Sequence, residues 1–151
     1  MSKIQFSQTQ GGNDLTTSFA QATGLTADGK VGWQINAIEC YWLNGESAAA
    51  ADWEVAGILA TESNAVNFNV PDEIVRLAWG LQNTGGVAVA VPYDPVKRLV
   101  MIEPRITVQP NLYGVVFSSG TSQANQIQFS IYYDVVKLSD LEVLRLLAGG
   151  A

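Results

Sequence analysis

The chain contains no histidine. That absence removes Ser-His-Asp and Cys-His nucleophilic chemistry, histidine zinc sites and proximal-histidine haem from the chemistry this chain can supply. There is one cysteine, Cys40, so neither an intrachain disulfide nor a thiolate cluster can form within one chain. Charge is scarce: 15% of residues are Asp, Glu, Lys or Arg, against about 25% in ordinary soluble domains. The few charges sum to −6, which argues against nucleic-acid binding driven by a basic surface. No apolar segment of signal-peptide length occurs at the start. No run approaches the roughly 18 apolar residues of a membrane helix. Phosphate cradles of the Gly-x-x-x-x-Gly-Lys or Gly-x-Gly-x-x-Gly kind are missing as well.

What the sequence does have is apolar residues, 48% of its 151. A chain of this length can bury about two-thirds of its unfolded surface in one core, and so apolar a composition excludes disorder. Residues 1–29 differ from the rest. They are rich in Gln, Thr, Ser and Gly, with sparse anchors at Ile4, Phe6, Leu15, Phe19 and Leu25. They read as an extended N-terminal arm that orders only against the body or a neighbouring subunit.

Residues 30–151 read as strands. Val31, Trp33, Ile35 and Ala37 alternate with polar or small residues, and at Ile38 the apolar phase shifts to Ile38, Cys40 and Trp42. A phase flip inside one extended segment predicts a β-bulge or a strand covered on both faces. Trp53, Val55 and Gly57 form a second alternation, and Val66, Phe68 and Val70 a third. Pro71-Asp72-Glu73 is a helix-start signal followed by Ile74, Leu77, Ala78 and Leu81 at helical spacing, so a short helix running into a strand near Trp79 is expected. Further strands are expected at 87–91, 99–102, 106–109 and 112–118, with Pro104 and Pro110 as breaks. The clearest strand is 126–137, where Ile127, Phe129, Ile131, Tyr133 and Val135 face one way. Ser139-Asp140-Leu141-Glu142 then forms a capping box, predicting a helix from about 140 to 147 that stops at Gly149-Gly150. About eight short strands, few helices and Pro/Gly-rich turns indicate an all-β sandwich or barrel.

Candidate chemistry is thin. Glu39, Glu46, Asp52 and Glu54 are the only plausible acid–base group, and their spacing favours solvated edges and loop tips over a glycosidase-like pair or a hard-cation site. Cys40 lacks a histidine base and fits a core position. Trp33, Trp42, Trp53, Trp79, Tyr132 and Tyr133 would suit a sugar-stacking platform, but their apolar partners favour the core. The charge distribution says more. Residues 1–75 carry a balance of −7 and residues 76–151 a balance of +1, with Lys97, Arg98 and Arg105 forming a basic patch. Opposed acidic and basic surfaces would favour association of identical subunits. Leu141, Leu144 and Leu147 on so short a helix, with Phe6 and Phe19 in the arm, are the residues expected at subunit contacts.

In this order of features the chain resembles viral single jelly-roll capsid proteins. A polar arm leads into the Trp-bearing segment Gly32-Trp33-Gln34-Ile35-Asn36-Ala37-Ile38-Glu39, a proline-broken strand series follows, and the chain closes on residues 128–139 and 141–147. The closing segment is similar to the endings of small phage-like virion proteins. The resemblance implies a single jelly-roll β-sandwich acting as a capsid subunit of an icosahedral shell, assembled in the host cytoplasm and located in the virion. Its partners would be copies of itself and other virion proteins. It implies no catalytic residues, metal or cofactor. One departure stands out: the Arg/Lys-rich arm of many RNA-virus coats is missing from residues 1–29, so genome binding through the arm is not expected. A jelly-roll binding module, carbohydrate-binding or shell-decorating, is the second reading, and a hydrolase using Glu39 and Glu54 the third.

Overall fold

Strict alternation of apolar and polar side chains commits a segment to a half-buried strand, because successive side chains leave a pleated backbone on opposite faces. A computed structural model of the chain describes residues 1–12, 15–26, 29–43, 53–61, 73–81, 97–121 and 124–148. Among them eight strands form: β1 (Ser2–Thr9), β2 (Thr16–Ala22), β3 (Val31–Trp42), β4 (Trp53–Ala60), β5 (Glu73–Leu81), β6 (Lys97–Thr107), β7 (Asn111–Ser119) and β8 (Gln126–Lys137). One helix, α1 (Asp140–Leu147), follows β8.

The strands make two antiparallel sheets, ordered β1-β8-β3-β6 and β2-β7-β4-β5. Their pairing is nested: β4 with β5, β3 with β6, β2 with β7 and β1 with β8. The chain is thus one long antiparallel hairpin, its rungs laid alternately into the two sheets. Inward residues of both sheets build one core, including Ile35, Ile38 and Ile131 from one and Val55, Leu59 and Val116 from the other. The result is an all-β sandwich with a short C-terminal helix.

Within residues 1–29, expected as an arm that orders against the body or a neighbouring subunit, β1 and β2 order against the body. β1 pairs with β8 over eight residues and β2 with β7 over seven, and alternate residues of each strand turn half-buried. Few apolar anchors suffice, because an edge strand needs only one packed face. The bulge in β3 falls where the apolar phase shifts. Ile35 pairs with Tyr133 and Ala37 with Tyr132, which leaves Asn36 as the unpaired extra residue. The Asn36 amide donates to Asp134 Oδ2 at 3.0 Å.

On its other side the same irregularity faces β6, where Ile35 pairs with Arg105 and Ala37 with Met101. Ile102, Glu103 and Pro104 therefore lie opposite Asn36 alone, and β6 runs through Pro104 instead of breaking there. A proline fits because β6 is an edge strand at a bulge. The helix expected after Pro71 is also replaced by strand: β5 buries Val75, Leu77 and Trp79 in alternation. Both periods were present in this segment. Pairing with β4 satisfies the backbone and selects the period of two. The strands expected at 66–70 and 87–91 lie outside the described residues, as does Gly149.

Glycine makes room at the centre. A Cβ on Gly114 would fall on the Phe19 ring and 2.7 Å from the Ile58 carbonyl oxygen, and one on Gly57 would lie 3.0 Å from Phe129 Cζ. These two positions accommodate a phenylalanine cluster of Phe6, Phe19 and Phe129, with centroids 5.5–5.7 Å apart.

Cys40 is fully buried on β3. Burial, and secondarily the adjacent Glu39 carboxylate, pushes its thiol from the ordinary 9.0 up to about 12. An acid whose proton is held more tightly in the folded chain stabilises the fold below its unfolded value and loses that contribution as pH rises toward the folded value. Stability should therefore fall by up to about 1.4 kcal/mol per pH unit above 9. Urea unfolding at pH 8 and pH 10 checks this: Cys40→Ala should show a shallower decline than the parent chain, and equal slopes would refute it.

Candidate functional site

The helix α1 is built by local rules. Ser139 takes extended backbone angles and its hydroxyl accepts from the Glu142 amide at 3.4 Å, while the Ser139 amide donates to Glu142 Oε2 at 2.7 Å. The Ser139 amide and hydroxyl together hold the Glu142 carboxyl below its ordinary value. The Leu138 amide donates to the Lys30 carbonyl at 2.8 Å, and Lys30 Nζ lies 2.9 Å from Asp140 Oδ1. These ties fix the helix start against the chain entering β3.

Val143 is the one buried residue of α1. Leu141 is 59% exposed, Leu144 64% and Leu147 41%. At i, i+3 and i+6 they make a continuous apolar strip facing solvent. Together on an anchored element they form a contiguous exposed apolar patch, unlike scattered single leucines.

The other expected contact residues lie elsewhere. Phe6 and Phe19 are packed inside the chain on Phe129 and are half-buried members of its own core. They tie β1 and β2 to the body, because an aromatic ring on an edge strand's packed face has a core within reach. Lys97 and Arg98 open β6, whereas Arg105 lies near its other end and donates from Nη1 to the Glu73 carbonyl at 3.2 Å. Along β6, Arg98 and Arg105 are seven residues apart, about 23 Å of extended strand.

No paired-carboxylate site arises from Glu39 and Glu54. Glu39 stands between fully buried Ile38 and Cys40, and exposed Glu54 between buried Trp53 and Val55. Each points outward from a different sheet. Stacked sheets lie about 10 Å apart, beyond the roughly 5–9.5 Å between glycosidase carboxylates. Glu46 and Asp52 lie outside the described residues. Among the described residues no three His, Cys, Asp or Glu side chains converge on a point. All four tryptophans are at least 95% buried, and Trp42 packs on Trp53 and Trp79 at 5.2 and 6.1 Å. Trp33 stacks on Tyr133 at 3.9 Å. Their faces serve the core and are closed to a sugar ring.

A buried polar cluster went unread in the sequence. Gln10 Oε1 accepts from Ser118 Oγ at 3.0 Å, from the Asn125 amide nitrogen at 2.8 Å and from Asn125 Nδ2 at 3.1 Å. Asn125 Nδ2 also donates to Thr121 Oγ1 at 3.2 Å, and Asn125 Oδ1 accepts from Trp42 Nε1 at 2.9 Å. The cluster joins the ends of β1, β3, β7 and β8 at one end of the sandwich. Amides and hydroxyls that satisfy one another carry no general acid or base, so its role is to clasp. Gln10 in the expected arm, Ser118 at the end of an expected strand, and Thr121 and Asn125 beyond it gave no signal that they would be buried together.

No family model matches the chain, and no curated protein matches it.

Proposed function

We propose that this chain is a virion structural protein, a capsid subunit on a single jelly roll that assembles with copies of itself into an icosahedral shell. The nested strand order supports the jelly roll, since eight strands in two facing sheets are its architecture and viral capsid domains use it. A fold hosts many functions, so the functional reading rests on the surface. One observation carries it: α1 is capped, anchored through Val143, and turns Leu141, Leu144 and Leu147 outward. An eight-residue helix is marginal alone, and holding leucines in water gains nothing unless a neighbour covers them.

The former arm fits the same picture. Residues 1–29 contain Lys3 as their sole basic residue, and they spend their length on two strands. Copies of the chain and other virion proteins are the partners, not the genome through a basic tail.

Light scattering tests the reading. The parent chain should have a mass well above the 16.2 kDa of one copy, and L141Q/L144Q should fall toward one copy while its circular dichroism is unchanged. Assemblies of undiminished mass in that variant would overturn a docking role for the helix. A parent chain of single-copy mass at all concentrations would overturn self-association itself.

A further inference from the structure

The cap of α1 hangs on one carboxylate. Glu142 Oε2 accepts from the Ser139 amide at 2.7 Å and from the Ser139 hydroxyl at 2.7 Å, and the Glu142 amide donates back to that hydroxyl at 3.4 Å. Hydrogen bonds to an ionised acceptor are roughly twice as strong as neutral ones, and the helix dipole favours a negative charge in the first turn. Both gains fade when the carboxyl takes up a proton. Little else holds the helix. Val143 is its one buried side chain and Leu146 is half-buried. The Lys30–Asp140 pair is 60% and 76% exposed, where an ion pair contributes little. Without its cap, a helix of eight residues is marginal.

The residue before the cap is held by groups that do not titrate. The Leu138 amide donates to the Lys30 carbonyl at 2.8 Å. A Cβ on Gly32 would lie 3.0 Å from Leu138 Cδ1, so the Leu138 side chain rests against the backbone of β3. The chain is therefore fixed through Leu138, and beyond Ser139 its anchorage depends on an ionised group.

We propose that α1 is an acid-released latch: protonation of Glu142 undoes the cap, and the helix unwinds from a hinge at Ser139, so that Leu141, Leu144 and Leu147 no longer share one face. The consequence for assembly rests on the self-association reading above, because acid then withdraws a surface through which copies dock. Among the described residues, the charged groups tied to this helix are Asp140, Glu142 and Arg145 on it and Lys30 on the chain entering β3; Lys137 ends β8 two residues before the cap. The Ser139 amide, then its hydroxyl, then the Arg145 guanidinium hold the Glu142 carboxyl below its ordinary 4.5. A carboxyl held in this way stabilises the folded form above its unfolded value and withdraws that contribution as pH falls through the lowered one. The latch is shut at neutral pH and opens only below 4.5.

Amide hydrogen exchange tests the latch on L141Q/L144Q, so that docking through the leucine strip does not mask it. With each rate divided by the intrinsic rate at that pH, protection of the Val143 to Ala148 amides, relative to those of β8, should fall about tenfold from pH 7 to pH 3. Adding E142Q gives a residue that also closes a capping box but cannot titrate, and this fall should disappear. Undiminished protection at pH 3, or an equal fall in both chains, would overturn the latch. Light scattering of the parent chain and of E142Q then separates the latch from the docking role. Assembly mass lost at pH 3 by the parent and kept by E142Q supports the link between them. Mass lost equally by both, or kept while α1 is open, overturns that link. Single-copy mass of the parent at both pH values overturns the self-association reading and leaves the latch standing.

Discussion

Phe129→Ala is expected to lower stability by about 3–5 kcal/mol, the usual cost of emptying an aromatic core site. Phe129 is fully buried and holds three parts of the sandwich together. It stacks on Phe6 of β1, at 5.5 Å and 24°, and packs on Phe19 of β2 at the same centroid distance. Its ring also fills the space above Gly57 of β4. Removing it leaves a cavity that the neighbouring glycine cannot fill, so the site has little means of collapsing. Both N-terminal strands lose their inward anchor at once. For a domain of this size a loss of that order lowers the melting temperature by about 10 °C. Against a total stability of about 5–15 kcal/mol, a folded population of Phe129→Ala should survive at low temperature, and urea titration can measure it. A loss below about 1 kcal/mol would mean that the cluster is not the keystone of the sandwich.

The second large effect concerns Asn125, which is fully buried. Asn125→Leu would strand the Trp42 Nε1 donor and remove a donor from Gln10 Oε1. Gln10 Oε1 keeps its donors from Ser118 Oγ and the residue 125 backbone N–H, and a buried polar group left unsatisfied costs about 1–3 kcal/mol, so the expected loss is on the order of 2–3 kcal/mol. Asn125→Asp preserves shape and sharpens the test. It replaces the Nδ2 donor with an oxygen facing Gln10 Oε1, now 3.1 Å from Nδ2, and Thr121 Oγ1, now 3.2 Å away. The introduced carboxylate would be buried without a cation, so its folded value would rise above the unfolded one. The sign follows from linkage: the protonated form is tolerated at low pH, and stability is lost as pH rises through the raised value. Asn125→Asp should therefore lie closer to the parent chain at pH 4 than at pH 7 in thermal melts. An equal deficit at both pH values would mean that the cluster opens to solvent when disturbed.

Short-range patterns in this chain were legible to the residue. The alternation from Gln126 to Lys137 matches β8, and the capping box at Ser139 and Glu142 sets the start of α1. The phase flip at Ile38 marks the bulge at Asn36. Each signal is complete within one strand or one helical turn, where the pleat or the orphan amides of the first turn decide the outcome.

Other features had no local solution. Residues 73–81 supported two periods until β4 offered a pairing partner. Pro104 broke a strand on paper, and an edge position opposite a bulge accommodates it. Phe6 and Phe19 looked like subunit contacts of an arm because Phe129, which they pack on, lies more than a hundred positions away in the chain.

By itself, the sequence determined that the chain folds, that it does so mainly in strands, and that histidine chemistry is closed to it. Only the tertiary structure decided which strands became edges, which aromatic rings turned inward and which leucines stayed in water. Those outcomes depend on contacts between distant segments, and a residue is committed to a face only when its neighbouring strand is chosen.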